Sequence, residues 1–260
     1  MRWLVPAATA LWGLWTWAHE REIDRSRERA RLAALYVNPF LSACEDLQSR
    51  IYNILEQEGL HTLRLRYPDG SYAEETLYLI VRWFGWLKTV LRYSPYTQDR
   101  QVIRLAEAMR NAFATSDYPV GAFAFFRPEQ KSLGRMVMTR FDGQYGIELD
   151  TIPYCEFLQV LERPILKASD AVQQSLAALR DTEEAAKLPG RERLVTVQNY
   201  LVELLNYVER REGFSLFPGV RKKCRHHGMK HVPSLVIRTP PSKRAGRRKR
   251  PDGAFSVRGI

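Results

Sequence analysis

Residues 3 to 18, WLVPAATALWGLWTWA, carry no charged side chain. A chain that opens this way must put its first helix into a core or into lipid, and everything after it is arranged accordingly. At about 1.5 Å per residue the run makes roughly 24 Å of helix, short of a hydrocarbon core roughly 30 Å thick. Its flanks extend its reach: Arg2 can snorkel outward at one end, and His19 can sit among headgroups at the other. Trp3, Trp12, Trp15 and Trp17 lie in or at the edge of the run, and tryptophan favours the membrane–water interface. The run reads as a single-pass membrane anchor. Two alternatives stand beside it. In one it is a signal peptide, with Thr16 and Ala18 as the small residues before a cut near Ala18, which makes the mature protein secreted. In the other it is a core helix packed against later helices.

Charge sets the orientation of an anchor. Only Arg2 precedes the run, whereas Arg21, Arg25, Arg27, Arg29 and Arg31 follow it. Lys and Arg are retained on the cytoplasmic side, so the bulk of the chain is expected in the cytoplasm. The three cysteines, Cys44, Cys155 and Cys224, are odd in number and far apart. They suit a reducing compartment rather than a disulfide framework.

The net charge of +11 is not spread over the chain. From Gly219 to Ile260, thirteen Lys and Arg against Asp252 give +12, so the remaining residues carry −1. A pI near 9.7 therefore describes the tail and not the body.

Helical spacing dominates the body. His19 to Arg31 alternates acids and arginines, as a solvated helix does. Asn38-Pro39 reads as a cap and first helical residue, with Leu47, Ile51, Ile54 and Leu55 on one face and Gly59 as the stop. His61 to Tyr67 alternates with period two, which predicts a short strand. Ser71-Tyr-Ala-Glu74 predicts a capping box opening a helix to about Tyr93, which is apolar on nearly all sides and reads as central to the core, with contact at a membrane surface as the alternative. Asp99 to Thr115 predicts an amphipathic helix. Pro128 and Glu129 suit a first helical turn. Phe141 to Ile152 carries weak hairpin signals, and Tyr154 to Glu162 reads as a short helix. A helix opening at Pro164 and running through Leu179, and another carrying Leu194 to Val208, are expected to pair as an antiparallel hairpin.

Ser49-Arg-Ile-Tyr-Asn-Ile-Leu55, Thr76-Leu-Tyr-Leu-Ile80 with Phe84-Gly-Trp86, and Phe126-Arg-Pro-Glu-Gln130 with Leu133-Gly134 resemble an uncharacterised group of bacterial proteins. The likeness covers roughly residues 1 to 165. It implies an amino-terminal apolar segment followed by a helical domain, and it carries over no activity and no site residue.

The expected fold is mainly α: a membrane segment at 1–18, a charged juxtamembrane helix at 19–36, an irregular helical domain with a short β element at 37–217, and a disordered basic tail at 218–260. No phosphate loop, nucleophile elbow or paired Cys-x-x-Cys occurs. No catalytic residue is assigned and no cofactor is implied. Cys224, His226, His227 and His231 are thiolate and imidazole candidates for a zinc site, but Lys222, Lys223, Arg225 and Lys230 surround them, and incidental histidines in a basic tail are the preferred reading. Arg127 and Glu129, with Glu74 and Glu75, are charges beside apolar runs and read as capping and surface groups rather than a ligand site.

Lys243, Arg244, Arg247, Arg248, Lys249 and Arg250 are the expected polyanion contacts. Anionic lipid and nucleic acid both satisfy them. The function expected is that of a membrane-tethered, non-enzymatic interaction module. Its protein partner would meet an exposed apolar face around Trp83 and Trp86. The competing expectations are an enzyme or small-ligand protein with its pocket at Arg127 and Glu129, and nucleic-acid binding through the tail alone.

Overall fold

Pro39 sits inside a continuous helical path rather than at its start. In this computed structural model, which describes residues 4–94, 99–212 and 221–225, α1 (Leu4–Leu32), a π-helical turn (Ala33–Val37) and α2 (Asn38–Glu56) follow one another directly. Leu32, Val37 and Asn38 are all right-handed, and the Asn38 N–H donates to the Ala33 carbonyl five residues back. A proline ring inside a helix donates no bond and crowds the carbonyl four residues earlier. The wide π turn takes up that misfit. Asn38 therefore caps nothing.

Two expectations fail after α2. Gly59 does not stop that helix; the left-handed turn falls to Glu58 (φ 53°). Gly59 is required for closeness instead, because a Cβ there would lie 2.6 Å from the Asn53 carbonyl oxygen. The strand predicted from His61 to Tyr67 is helical, α3 (Gly59–Arg66). Alternation alone cannot hold a strand without a ladder partner, and Leu60 finds burial in the core from a helix.

α4 (Ser71–Tyr93) begins and ends as expected but without the capping box. Ser71 donates its N–H (3.1 Å) and its hydroxyl (2.9 Å) to Asp69 Oδ1, and Glu74 pairs with Arg180. α5 (Arg100–Ala114) is capped by Asp99, which accepts from the N–H groups of Gln101 (2.8 Å) and Val102 (3.1 Å). In α6 (Arg127–Val137), Pro128 lies in the first turn and Glu129 accepts the Phe126 N–H at 2.9 Å.

The weakly signalled hairpin is present: β1 (Met138–Gly143) pairs antiparallel with β2 (Gly146–Thr151), in register Met138↔Thr151 through Gly143↔Gly146. Gly146 (φ 97°) supplies the turn geometry. Next come α7 (Tyr154–Leu161) and α8 (Pro164–Lys167). The helix predicted to run from Pro164 to Leu179 is cut in two, because Ser169 caps α9 (Asp170–Asp181) by accepting the Val172 N–H. A short 3-10 turn (Ala185–Lys187) precedes α10 (Arg191–Glu212). α9 and α10 do not form the expected hairpin: α10 packs on α5 and α2, and α9 packs on α4.

The core is organised around α4. Trp83 (0% exposed) and Trp86 (1%) are sealed inside it, as the core reading of this helix expects, and the partner-facing apolar surface that the interaction-module reading placed there is corrected. The helix is apolar on nearly all sides because α2, α6, α7 and α9 cover it from several directions. Trp83, Phe84, Phe113 and Phe125 form one aromatic cluster, with Phe84 edge-on to Phe113 at 5.2 Å and to Phe125 at 5.8 Å. Such pairs add about 0.5–1.5 kcal/mol each beyond burial. All described elements belong to one compact unit.

Candidate functional site

Most of the described side chains of α1 are exposed. Every described side chain from Trp17 to Arg31 is exposed, and packing begins only toward the π turn, where Val37 is buried. Trp12 (67% exposed), Trp15 (58%) and Trp17 (52%) project from it; Trp3 lies outside the described residues. The rings contact one another along the helix. Trp12 and Trp15 have centroids 5.4 Å apart, Trp15 stacks on His19 at 5.4 Å, and the Arg21 guanidinium lies 3.9 Å over Trp17. Farther along, Glu22–Arg25, Asp24–Arg27 and Glu28–Arg31 are exposed i,i+3 pairs, which add little stability in water. At its far end Arg31 donates to the Tyr145 carbonyl of the hairpin turn at 3.2 Å.

The exposure of Trp12, Trp15 and Trp17 counts against the core-helix alternative at the described positions of the run. The single-pass reading also loses ground: among the described residues no helix is long and apolar enough to cross a membrane. The uncharged run is short, and charge begins at Glu20.

The charges thought to bound a ligand pocket are dispersed. Arg127 pairs with Glu107 (2.8 Å) and reaches Asn111. Glu129 caps α6 and accepts from Ser169 Oγ at 3.4 Å. Glu74 is tied to Arg180, and Glu75 to Arg50 at 2.6 Å. Each holds one element to another. The position of Glu107 shows in its acidity. Burial opposes its charge, but the hydrogen bond from Arg127 and the nearby Arg110 outweigh that, and its carboxyl sits below the ordinary value.

Within the tail expected to be disordered from 218 onward, the described residues 221–225 are docked on the body. Arg221 reaches Glu45 on α2 and Glu209 on α10 (2.6 Å), and Lys223 pairs with Glu203. Asn199 brackets Cys224 in both directions, accepting its N–H at 2.8 Å and donating to its carbonyl at 3.1 Å. Sequence gives no hint of this strap, since Arg221 and Glu45 are 176 residues apart.

Docking also bears on the zinc candidate. Burial, with Glu56 beside it, pushes the Cys224 thiol up to about 12, which disfavours the thiolate a metal needs. His226, His227 and His231 lie outside the described residues, as do Lys243, Arg244, Arg247, Arg248, Lys249 and Arg250. Among the described residues no group of His, Cys, Asp and Glu is placed to hold a metal ion. A surface cleft of about 580 Å³ near Cys224 is rimmed by Glu56, Glu58, His61, Glu183, Glu184 and Glu192.

The sequence also passed over Arg193, which is wholly buried. It donates to the carbonyls of Ala112 (2.7 Å), Phe113 (2.9 Å), Thr115 (3.2 Å) and Pro119 (3.2 Å), closing the C-terminal end of α5. Burial lowers its pKa, and the Tyr118 ring lies 5.4 Å away. This is a structural role, with the cation set where the helix dipole is negative.

No family model, no curated protein and no solved structure matches the chain.

Proposed function

We propose that the protein is a membrane-tethered helical interaction module. The tryptophan-edged start of α1 holds it at the bilayer surface, and the basic tail engages anionic lipid or another polyanion. The observation that carries this reading is the exposure of Trp12, Trp15 and Trp17 on a helix that leaves the body. Indole rings left in water on three positions of one segment find a favourable place at the headgroup boundary. With the run too short to span neatly, insertion at the interface replaces a perpendicular crossing. The five arginines after it gain from an anionic cytoplasmic leaflet, at about 1 kcal/mol per cation near the surface, and this favours a cytoplasmic body. A protein partner remains part of the proposal, but the face it uses cannot include Trp83 or Trp86.

Flotation of the full chain with liposomes, with and without anionic lipid, tests the tether. The wild type should float, and a Trp12→Ala/Trp15→Ala/Trp17→Ala variant should remain at the bottom of the gradient. Equal flotation of both defeats the role of α1. A mature chain starting at His19 and free in solution would replace tethering with secretion.

A further inference from the structure

One face of α4 carries an apolar floor and a cationic edge at helical spacing. Phe84, Leu87 and Leu91 line the base of a pocket of about 240 Å³, and Lys88 and Arg92 stand on the same face. α5 adds Arg110, and α6 adds Gln130 and Lys131. Four cations thus ring a small concavity with a hydrophobic base. Among the described residues only Arg110 has a carboxylate partner, Glu107 at 2.7 Å; Lys88, Arg92 and Lys131 pair with none. They are exposed at the mouth, while Phe84 and Leu87 are buried at the floor.

Gln130 is the second, independent sign. Its side chain is 3% exposed, and its Nε2 donates to the Arg110 carbonyl (2.9 Å) and the Phe125 carbonyl (2.8 Å). Those two bonds fix which end of the amide is nitrogen. Its Oε1 is then left buried with no hydrogen-bond partner, on a residue that lines the pocket. An orphaned buried acceptor is costly, and a ligand donor relieves it.

We infer that this pocket between α4, α5 and α6 binds a small phosphate ester of a hydroxyl-bearing alcohol. The phosphate would lie among Lys88, Arg92, Arg110 and Lys131, the hydroxyl would donate to Gln130 Oε1, and the carbon skeleton would rest on Phe84, Leu87 and Leu91. Three unpaired cations exceed the single charge of a carboxylate and suit the several acceptor oxygens of a phosphate. The volume lies below the usual range for drug-sized ligands, so the bound group is of the size of glycerol phosphate. That group occurs free in solution and as the headgroup of an anionic glycerolipid. The site does not depend on α1 or the tail.

The test is calorimetric titration of the full-length protein with glycerol 3-phosphate, propyl phosphate, inorganic phosphate and a short-chain phosphatidylglycerol below its micelle concentration. Glycerol 3-phosphate should bind saturably. Propyl phosphate, which lacks the donor, should bind about tenfold more weakly, and inorganic phosphate more weakly still. Lys88→Glu/Lys131→Glu alters only exposed side chains and should weaken glycerol 3-phosphate at least about tenfold, with an unchanged circular dichroism spectrum. Leu91→Trp keeps every charge and fills the pocket; it should do the same, which separates the pocket from general attraction by the basic tail. Tighter binding of the phosphatidylglycerol assigns a lipid source, and equal or weaker binding assigns the soluble ester. Absence of saturable binding, equal affinity for glycerol 3-phosphate and inorganic phosphate, or indifference to either variant overturns the site.

Discussion

Gly134 lies against Gly85 where α6 crosses α4, and a Cβ built on Gly134 would sit 2.7 Å from the Gly85 amide nitrogen. The two backbones touch, and neither helix can retreat because α4 is enclosed by the core. A Cβ on Gly85 would instead meet the flexible Met138 Sδ first, at 2.7 Å, with the Gly134 carbonyl at 3.0 Å.

Gly134→Ala is therefore expected to destabilise the fold by about 1–3 kcal/mol through overpacking, despite the roughly 1 kcal/mol that alanine gains over glycine within a helix. Gly85→Ala should cost less, because a side chain can move where a backbone cannot. Urea denaturation of the two variants checks the order; an equal or reversed order contradicts the crossing.

Arg193→Met should cost about 3 kcal/mol or more, since charged hydrogen bonds to four carbonyls disappear at once. Arg193→Lys should rescue it only in part, because a single ammonium cannot reproduce the guanidinium fork. Thermal unfolding reads both variants.

Arg221→Ala leaves the buried Glu45 without its cation and should cost about 3 kcal/mol. The double variant with Glu45→Gln should recover part of that loss. The strap should also loosen. Cys44 and Cys224 are buried and Cys155 is exposed, and burial raises both buried thiols. In the native protein a thiol reagent at mildly alkaline pH should modify Cys155 alone, and in Arg221→Ala it should reach Cys224 as well. Unchanged labelling would show that the strap does not depend on Arg221.

Glu107 has a folded-state pKa below its ordinary value of 4.5. Such a carboxyl adds stability that is present above about pH 4.5 and lost as pH falls through the folded value. Glu107→Gln should therefore be less stable than the wild type near neutrality, and the gap should narrow as the solution is acidified below 4.5. A gap independent of pH would mean that packing, not charge, sets the loss.

Sequence and structure agree where local patterning decides the outcome. The amphipathic spacing over Asp99 to Thr115 is met by α5, with Asp99 as its cap. The helix from Ser71 to Tyr93 is met in extent, and its apolar circumference is met by burial. The alternation at His61 to Tyr67 misled, because period two in so short a stretch is also compatible with about two turns of helix anchored by Leu60. The pairing of α9 with α10 misled for a different reason. Adjacency along the chain favours contact, but the inward faces of α10 fit α5 and α2.

The sequence by itself determined that the chain is mainly helical, that it begins with an uncharged tryptophan-rich segment and that its charge lies in the tail, since periodicity and charge are local and additive. Tertiary structure alone decided that Arg193 closes α5, that Arg221 straps the tail to α2, and that Lys88, Arg110 and Gln130 share one pocket. Each of these joins residues distant in the chain, and the free energy that selects such contacts comes from shape, desolvation and unmet hydrogen bonds, which exist only once the helices have packed.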